Sequence, residues 1–282
     1  MDLGLSDFVV LVTGASGGIG RAVAEEFAAE GTRLALHGHG RIAELRAWTA
    51  TRPWKARALV VSGDLTKPGA CDAMFAKTLA KWGRVDVCVA NAGKYPQETL
   101  RIDQIEEARV RATFAANLAA SVFTARAFFA SLAKTGPRAD GNGASLLFVG
   151  STAGRFGERG HFDYAAAKAG LAGLLLTLKN EIVALDPFAR VNMIEPGWTV
   201  TSNVRASLEK PGAISRVVRT MALRQLGRAK DVAKAAAFLS SPVAARHVSG
   251  QTLVLAGGME GRTIWDADAV DEAAIRRRAR EE

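Results

Sequence analysis

A single-domain, doubly wound α/β fold, one parallel sheet with helices on both faces, is what this sequence predicts, and three observations predict it. Strand-like and helix-like segments alternate from residue 8 to residue 255. The strand-like runs are short and apolar along their whole length, as expected of strands covered on both faces. A glycine-rich turn joins the first strand to the first helix, the position where open α/β sheets bind ligands.

Each element follows from local pattern. Residues 8–13 form a β-rich run too short for a helix, and residues 21–30 have helical periodicity that stops at Gly31, a C-terminal cap. Residues 33–37 read as a second strand, 42–51 as a helix, and 58–61 as a third strand leading into Gly63 and Asp64. Helix 70–82, strand 85–90 and one or two long helices over 105–134 come next. The polar, glycine-bearing stretch 135–143 reads as a surface loop. Strand 145–149, helix 164–185, strand 190–194, helix 229–239 and strand 252–255 complete the pattern. Residues 1–258 are expected to form the α/β domain, and 259–282 a C-terminal extension, helical or disordered. If helical, residues 267–280 are amphipathic and suited to crossing onto a neighbouring subunit.

Composition narrows the function classes. The chain has 282 residues, 49% hydrophobic and 23% charged, which supplies one large core without a linker to divide it. A net charge of +9 favours anionic partners, but apart from Arg276, Arg277 and Arg278 the basic residues are scattered, and no nucleic-acid motif accompanies them. The two cysteines, Cys71 and Cys88, form no CxxC pair, and the four histidines lack metal-ligand spacing, so no metal is expected. With no signal-like N-terminus and no apolar run of about 20 residues, a cytoplasmic protein off the membrane is expected.

Residues 13–20 carry the first chemistry. Glycines at this turn let backbone N–H groups approach a pyrophosphate, and the helix that follows adds the positive end of its dipole. The spacing is T-G-x-x-x-G-x-G on Thr13, Gly14, Gly18 and Gly20, not the more familiar G-x-G-x-x-G. Here the sequence resembles the short-chain dehydrogenase/reductase family. The resemblance continues through Asn91, Ala92 and Gly93 after strand four, Ser151 after strand five, Tyr164-x-x-x-Lys168, and Pro196 and Gly197 after strand six, covering about residues 5–258.

The resemblance implies a Rossmann fold, a nicotinamide cofactor and a set of site residues. The cofactor would lie on Gly14, Ser16, Gly18, Ile19 and Gly20, with Asp64 and Leu65 at the adenine and Asn91, Ala92 and Gly93 near its ribose. Asp64 reads equally well as the N-cap of the next helix. Pro196 and Gly197 would border the nicotinamide, with Thr199 or Thr201 near the diphosphate. At the end of the second strand, a carboxylate would bond the ribose 2′-hydroxyl of NAD, but residues 36–41 contain none. Arg41 and His39 suit the 2′-phosphate of NADP instead, so NADP is expected, with NAD possible. One departure stands out: many NADP-preferring relatives carry a base where this chain has Gly17.

Tyr164 and Lys168, four apart, share one face of a helix. An ammonium beside a phenol stabilises the phenolate and is expected to lower its pKa from near 10. By resemblance Tyr164 donates a proton to a carbonyl oxygen as hydride reaches carbon, Lys168 also holds the nicotinamide ribose, and Ser151 orients the substrate. Asn117 matches the fourth member, which supports a water chain; it reads alternatively as a helix-interior amide bonded to backbone.

Residues 198–226 are expected to form a lid over the substrate, with Arg205, Lys210, Arg216 and Arg219 beside Trp198, Leu208, Val217 and Met221. Two arrangements fit: a partly apolar pocket with basic residues for an acidic substrate or acyl-carrier protein, or an amphipathic lid with its basic face in water. Lys94, Tyr95, Phe156, His161 and Phe162 are further pocket candidates. Ala256 stands where the family often has an aspartate. The leading expectation is an NADPH-dependent carbonyl reductase similar to 3-oxoacyl-acyl-carrier-protein reductases, acting on a small molecule as a homodimer or homotetramer. A dehydrogenase of a sugar, polyol or other secondary alcohol uses the same motifs. A non-catalytic dinucleotide sensor is disfavoured by the presence of both Tyr164 and Lys168.

Overall fold

The protein is described by a computed structural model covering residues 2–201 and 208–280. Arg205 lies outside the described residues. The main sheet is built from β1 (Val9–Val12), β2 (Arg33–Gly38), β3 (Ala58–Ser62), β4 (Val87–Ala90), β5 (Ser145–Val149), β6 (Arg190–Pro196) and β9 (Thr252–Leu255). Their order is β3-β2-β1-β4-β5-β6-β9, and every pairing is parallel. Between β6 and β9, β7 (Thr199–Val200) pairs with β8 (Gly227–Arg228) as a separate ribbon.

Strand residues alternate between two cores even though the runs are apolar throughout. Leu11, Cys88, Leu146 and Phe148 face one side, against Met74 and Phe75 of α3 (Pro68–Trp82), Phe128 and Leu132 of α5 (Ala120–Thr135), and Leu171 and Leu175 of α7 (Phe162–Glu181). Val10, Val12, Val87, Val89 and Leu147 face the other. They meet Val23 and Phe27 of α1 (Gly18–Ala29), Leu45 of α2 (Ile42–Ala50), and Val232 and Ala236 of α9 (Ala229–Ser240). The amino end of the sheet is tied by Asp86, a buried carboxylate that accepts from the Val9 N–H at 2.8 Å and pairs with Arg84 and Arg138. Arg138 comes from the expected surface loop and also stacks over Phe8, 4.1 Å from the ring centroid.

Two expectations change. The long helical stretch is continuous from Glu107 to Thr135, because a π-type turn at Ala115–Ala119 joins α4 (Glu107–Phe114) to α5. By length and composition it meets the requirements of a membrane span, contrary to the run-length reading of the sequence. Its apolarity has a different cause here: half of its most apolar stretch is buried within the fold.

The C-terminal extension neither reaches away nor forms the long helix expected over 267–280. The Asp271 side chain caps Ala274 N–H at 2.9 Å, so the helix α10 (Glu272–Arg278) begins late. Val270 and Ile275 then pack with Leu208, Met221 and Leu226, and with Ile214 and Val218 of α8 (Ala213–Val218), in a third core with no counterpart in the sequence pattern. Trp198, Val200, Val217, Met259 and Trp265 pack against it. Polar contacts close the seam: Trp265 Nε1 donates to Met221 O at 2.7 Å, Arg219 Nε to Trp265 O at 2.8 Å, and Ser215 N to Glu272 Oε1 at 2.7 Å. Trp265→Ala is expected to cost about 3 kcal/mol of stability. It should release amide protection in residues 208–226 while leaving that of β1–β6 unchanged, as read by hydrogen–deuterium exchange.

Candidate active site

The strand order reverses between β1 and β4, and the crevice outside their carboxyl ends is where such sheets bind ligands. The glycine turn fills it. Gly14 has φ +66°, and a β-carbon there would stand 2.9 Å from Ala92 Cα. A β-carbon on Gly20 would collide with the Gly14 carbonyl, so the first turn of α1 packs directly on the loop with Ser16 and Ile19 half-buried in it.

Three side chains from neighbouring strands hold this bare backbone. Thr13 Oγ1 accepts from the N–H groups of Asn91 and Ala92, both at 2.9 Å, and donates to Val89 O at 3.3 Å. Asn91 Nδ2 donates to Thr13 O at 2.9 Å and Gly14 O at 3.3 Å. The donors of Asn91, expected near a ribose, are therefore committed to the turn. His37, read in the sequence only as a missing carboxylate, is buried behind it. Its Nδ1 accepts from Gly14 N–H at 3.3 Å, which leaves Nε2 to donate to Gly63 O at 2.9 Å. Burial lowers the His37 pKa against the opposing bond to Gly63, so the neutral ring that both contacts need is maintained. Neither role had a sequence signal beyond the side chain's ability to donate and accept.

Around the turn, His39 and Arg41 are exposed at the end of β2. Arg41 Nη2 comes within 3.9 Å of where a Gly17 β-carbon would stand, and Arg41 has no acidic partner among the described residues. Asp64 is not a helix N-cap. Its Oδ1 accepts from the Thr66 hydroxyl at 2.7 Å and the Thr66 N–H at 3.1 Å, and these bonds hold its pKa low, while Lys67 occupies the cap of α3. Leu65 beside it is buried. Of the two candidate threonines, Thr199 spends its hydroxyl on Gly197 O at 3.0 Å, whereas Thr201 lies against Gly18, its Cβ 2.7 Å from an added β-carbon there. Pro196 ends β6, and Gly197 N donates to Leu255 O at 2.9 Å. Gly197 passes so close to Ala256 that an added β-carbon would stand 2.9 Å from the Ala256 methyl.

The adjoining strand end carries the acid–base groups. Ser151 caps α6 (Thr152–Phe156), its Oγ accepting from Ala153 N–H at 3.2 Å, which leaves its hydroxyl hydrogen to donate towards the Tyr164 phenol. Lys168 is 5% exposed, and its Nζ donates to Val149 O at 2.8 Å. Gly93 leaves the space beside it: a β-carbon there would stand 2.7 Å from Asn117 Oδ1 and 3.4 Å from Lys168 Nζ. Asn117 sits in the π-type turn and is fully buried. Its Nδ2 donates to Lys94 O at 2.9 Å and Thr113 O at 3.0 Å, and its Oδ1 accepts from Lys94 N–H at 3.0 Å. The side chain thus fixes the loop after β4, nearer the backbone-bonded reading than the water-chain one.

The expected lowering of the phenol's pKa is not what the fold produces. Burial pushes Tyr164 up to about 12, Ser151 acts in the opposite direction through a hydrogen bond, and the charge of Glu158 adds to the rise. Lys168 Nζ is 5.9 Å from the Tyr164 ring centroid and faces a carbonyl, and burial pushes its own pKa down to about 8. Desolvation outweighs mutual assistance because phenolate and ammonium both lose water here. Among the pocket candidates, Tyr95 meets Tyr164 edge-on and stacks on His161, and Phe156 is exposed near Gly261. Phe162 begins α7, and Lys94 is held through its backbone. On the lid segment, Leu208, Val217, Met221 and Trp198 serve the third core and Arg219 bonds Trp265, while Lys210 and Arg216 are exposed, which is nearer the amphipathic arrangement with a basic face in water than the basic pocket.

A glycine-rich turn at the reversal of a parallel doubly wound sheet accommodates a dinucleotide, and a phenol, amine and hydroxyl at a neighbouring strand end are what carbonyl–alcohol chemistry needs. Together they define the class, a dinucleotide-dependent oxidoreductase. Comparison with known proteins goes further. The profile of a family described as enoyl-(acyl carrier protein) reductase matches residues 14–260. The chain is similar to 3-oxoacyl-acyl-carrier-protein reductase FabG of Escherichia coli (strain K12), 31% identical over 260 residues covering 89% of this chain and 96% of that one. It is also 31% identical to the L-rhamnose 1-dehydrogenase (NAD(P)(+)) of Azotobacter vinelandii, over 90% of this chain and 97% of that one. A short-chain dehydrogenase from Burkholderia cenocepacia J2315, solved in complex with NADP, superimposes with a TM-score of 0.79 at 28% identity, covering 90% and 98% of the two chains. A glucose/ribitol dehydrogenase-type structure from Brucella melitensis does so with a TM-score of 0.81 at 27% identity, covering 92% and 98%. The chain belongs to the short-chain dehydrogenase/reductase family and is an oxidoreductase acting between carbonyl and secondary alcohol.

The buried lysine has a measurable cost. Because the folded pKa of Lys168 lies near 8 and the ordinary value is 10.5, the unfolded chain holds this proton more tightly. Stability from this group therefore rises with pH between those values and is lowest below pH 8. Lys168→Met is expected to abolish turnover yet raise unfolding free energy at pH 7 by about 1–3 kcal/mol, with the gain fading towards pH 10.5, as read by denaturant melts at several pH values.

Proposed function

We propose that this chain is a cytoplasmic, NADPH-dependent carbonyl reductase that converts a ketone to a secondary alcohol and works as a homodimer or homotetramer. The observation that carries this reading is the convergence of Ser151, Tyr164 and Lys168 at the end of β5, beside a turn that Arg41 overlooks. A bound nicotinamide supplies the hydride that reaches the carbonyl carbon. The chain's own groups manage the oxygen. Ser151, its acceptor side used by Ala153, donates to the substrate oxygen. Tyr164 gives that oxygen its proton, so the ketone gains one hydride and one proton in total. A phenol held near 12 arrives fully protonated at neutral pH, which suits reduction. Lys168 has one hydrogen on Val149 O, leaving the others for the phenol and a ribose hydroxyl.

Support for NADP comes from Arg41 and from the absence of a carboxylate at the end of β2, which the 2′-phosphate would be repelled by. The Burkholderia relative holds NADP, and the Azotobacter enzyme is named for NAD(P)(+). Self-association is supported by large apolar side chains left exposed on and after α7, Leu176, Val183 and Phe188. Both cysteines are free and buried, in keeping with a reducing compartment. The relatives' names point to two substrate classes, 3-oxoacyl thioesters and sugars or polyols.

Tyr164→Phe should lower kcat by about 10²–10⁴-fold while NADPH still binds, as read by cofactor fluorescence. Equal turnover in that variant would remove the mechanism. Arg41→Ala should raise KM for NADPH by about 10- to 100-fold and leave KM for NADH nearly unchanged in parallel absorbance assays.

A further inference from the structure

Beside the catalytic phenol stands a polar group that the transfer chemistry does not use. Glu158 Oε1 accepts the Tyr95 hydroxyl hydrogen at 2.6 Å. A phenol has a single hydrogen, so the Tyr95 oxygen is left as an acceptor for His161 Nδ1, 3.2 Å away. The two rings stack with centroids 4.6 Å apart, and Tyr95 also meets Tyr164 edge-on at 5.1 Å. Tyr95 is thereby fixed through its hydroxyl and both faces of contact, and it fixes Glu158 in turn. His161 is buried, whereas Tyr95 and the Glu158 side chain remain 41% and 35% exposed.

Glu158 keeps unused capacity. An ionised carboxylate has about four acceptor positions, and Tyr95 fills one. No arginine or lysine neutralises it among the described residues; its nearest cation-capable neighbour is His161, at 3.9 Å. Arg155, three residues earlier, is committed to Glu195. Tyr95 links Glu158 to the reacting centre, its hydroxyl bonded to the carboxylate and its ring meeting Tyr164 edge-on. The carboxylate one aromatic ring away from Tyr164 is therefore acceptor-only, accessible and held in place.

That chemistry discriminates between the two substrate classes. A 3-oxoacyl thioester has no hydroxyl beside its ketone, and its one other carbonyl oxygen, a methylene further on, would oppose a carboxylate. A hydroxyl beside the reacting carbon would donate to it in a charge-assisted hydrogen bond. We propose that Glu158, positioned by Tyr95 and His161, is a substrate subsite that binds a hydroxyl on the carbon adjacent to the one that reacts, so that the substrate is a hydroxylated ketone or polyol. This rests on Tyr164 and Lys168 being the reacting centre.

The test uses the full chain with NADPH and three probes: 2-hydroxycyclohexanone, cyclohexanone and an acetoacetyl thioester. Wild type should favour the hydroxyketone over the plain ketone by about 10- to 100-fold in kcat/KM, chiefly through KM. Glu158→Met removes the acceptors at similar length and should bring that ratio to about one, with Tyr95→Phe falling in between. Taking a ratio cancels any general effect of the substitution on Tyr164, and NADPH binding reports that the variants are folded. A wild-type ratio near one, a ratio unchanged in Glu158→Met, or preference for the thioester overturns the subsite alone. Plain-ketone turnover as fast in Tyr164→Phe as in wild type would instead overturn the reading of the reacting centre, and the subsite with it.

Discussion

A lysine ammonium buried at the carboxyl end of β5 governs how the rest of this site is arranged. Lys168 reaches Val149 O from a helix whose neighbouring side chains are apolar, and burial alone weakens its hold on its proton. Accommodating it requires the bare backbone of Gly93 on one side and a buried amide, Asn117, on the other, and the π-type turn is where that amide stands. The same desolvation keeps Tyr164 protonated. A lysine and tyrosine on one helix face are thus two groups whose charged forms are both disfavoured by the water they lose.

The dinucleotide turn shows a complementary solution. A loop that must present backbone cannot also carry side chains to stabilise itself, so its rigidity is supplied from outside. Thr13 and Asn91 join it to β4, and His37 bridges from β2 to the loop after β3. Thr13 and His37 each both donate and accept in doing so, and Asn91 spends both its amide bonds on carbonyls of the turn. The neutrality of His37 matters for the same reason, since a protonated Nδ1 has nothing to offer Gly14.

On the substrate side the stabilising interaction is different again. The segment after β6 carries apolar residues that a substrate pocket would use well, yet they face the C-terminal extension and form a core of their own. The wall nearest the catalytic phenol is instead polar and aromatic, made of Tyr95, His161 and Glu158 from the loops after β4 and β5. The third core and the polar wall beside Tyr164 are built from different residues, so they can change separately.

The sequence by itself determined the sheet, its parallel sense and the places of the turn, Ser151, Tyr164 and Lys168, because period, glycine spacing and a four-residue helical step are local properties. Element ends moved by a few residues where caps such as Lys67 and Asp271 are set by hydrogen bonds invisible in the pattern. Only the tertiary structure decided that Asn91 and His37 brace the turn, that Thr201 rather than Thr199 meets Gly18, and that residues 259–280 seal the lid. It also decided the protonation balance of Tyr164 and Lys168. Proton affinity depends on how much water each group loses, and the amount lost is fixed by residues that the fold brings together from separate elements, Gly93, Asn117 and Val149 among them.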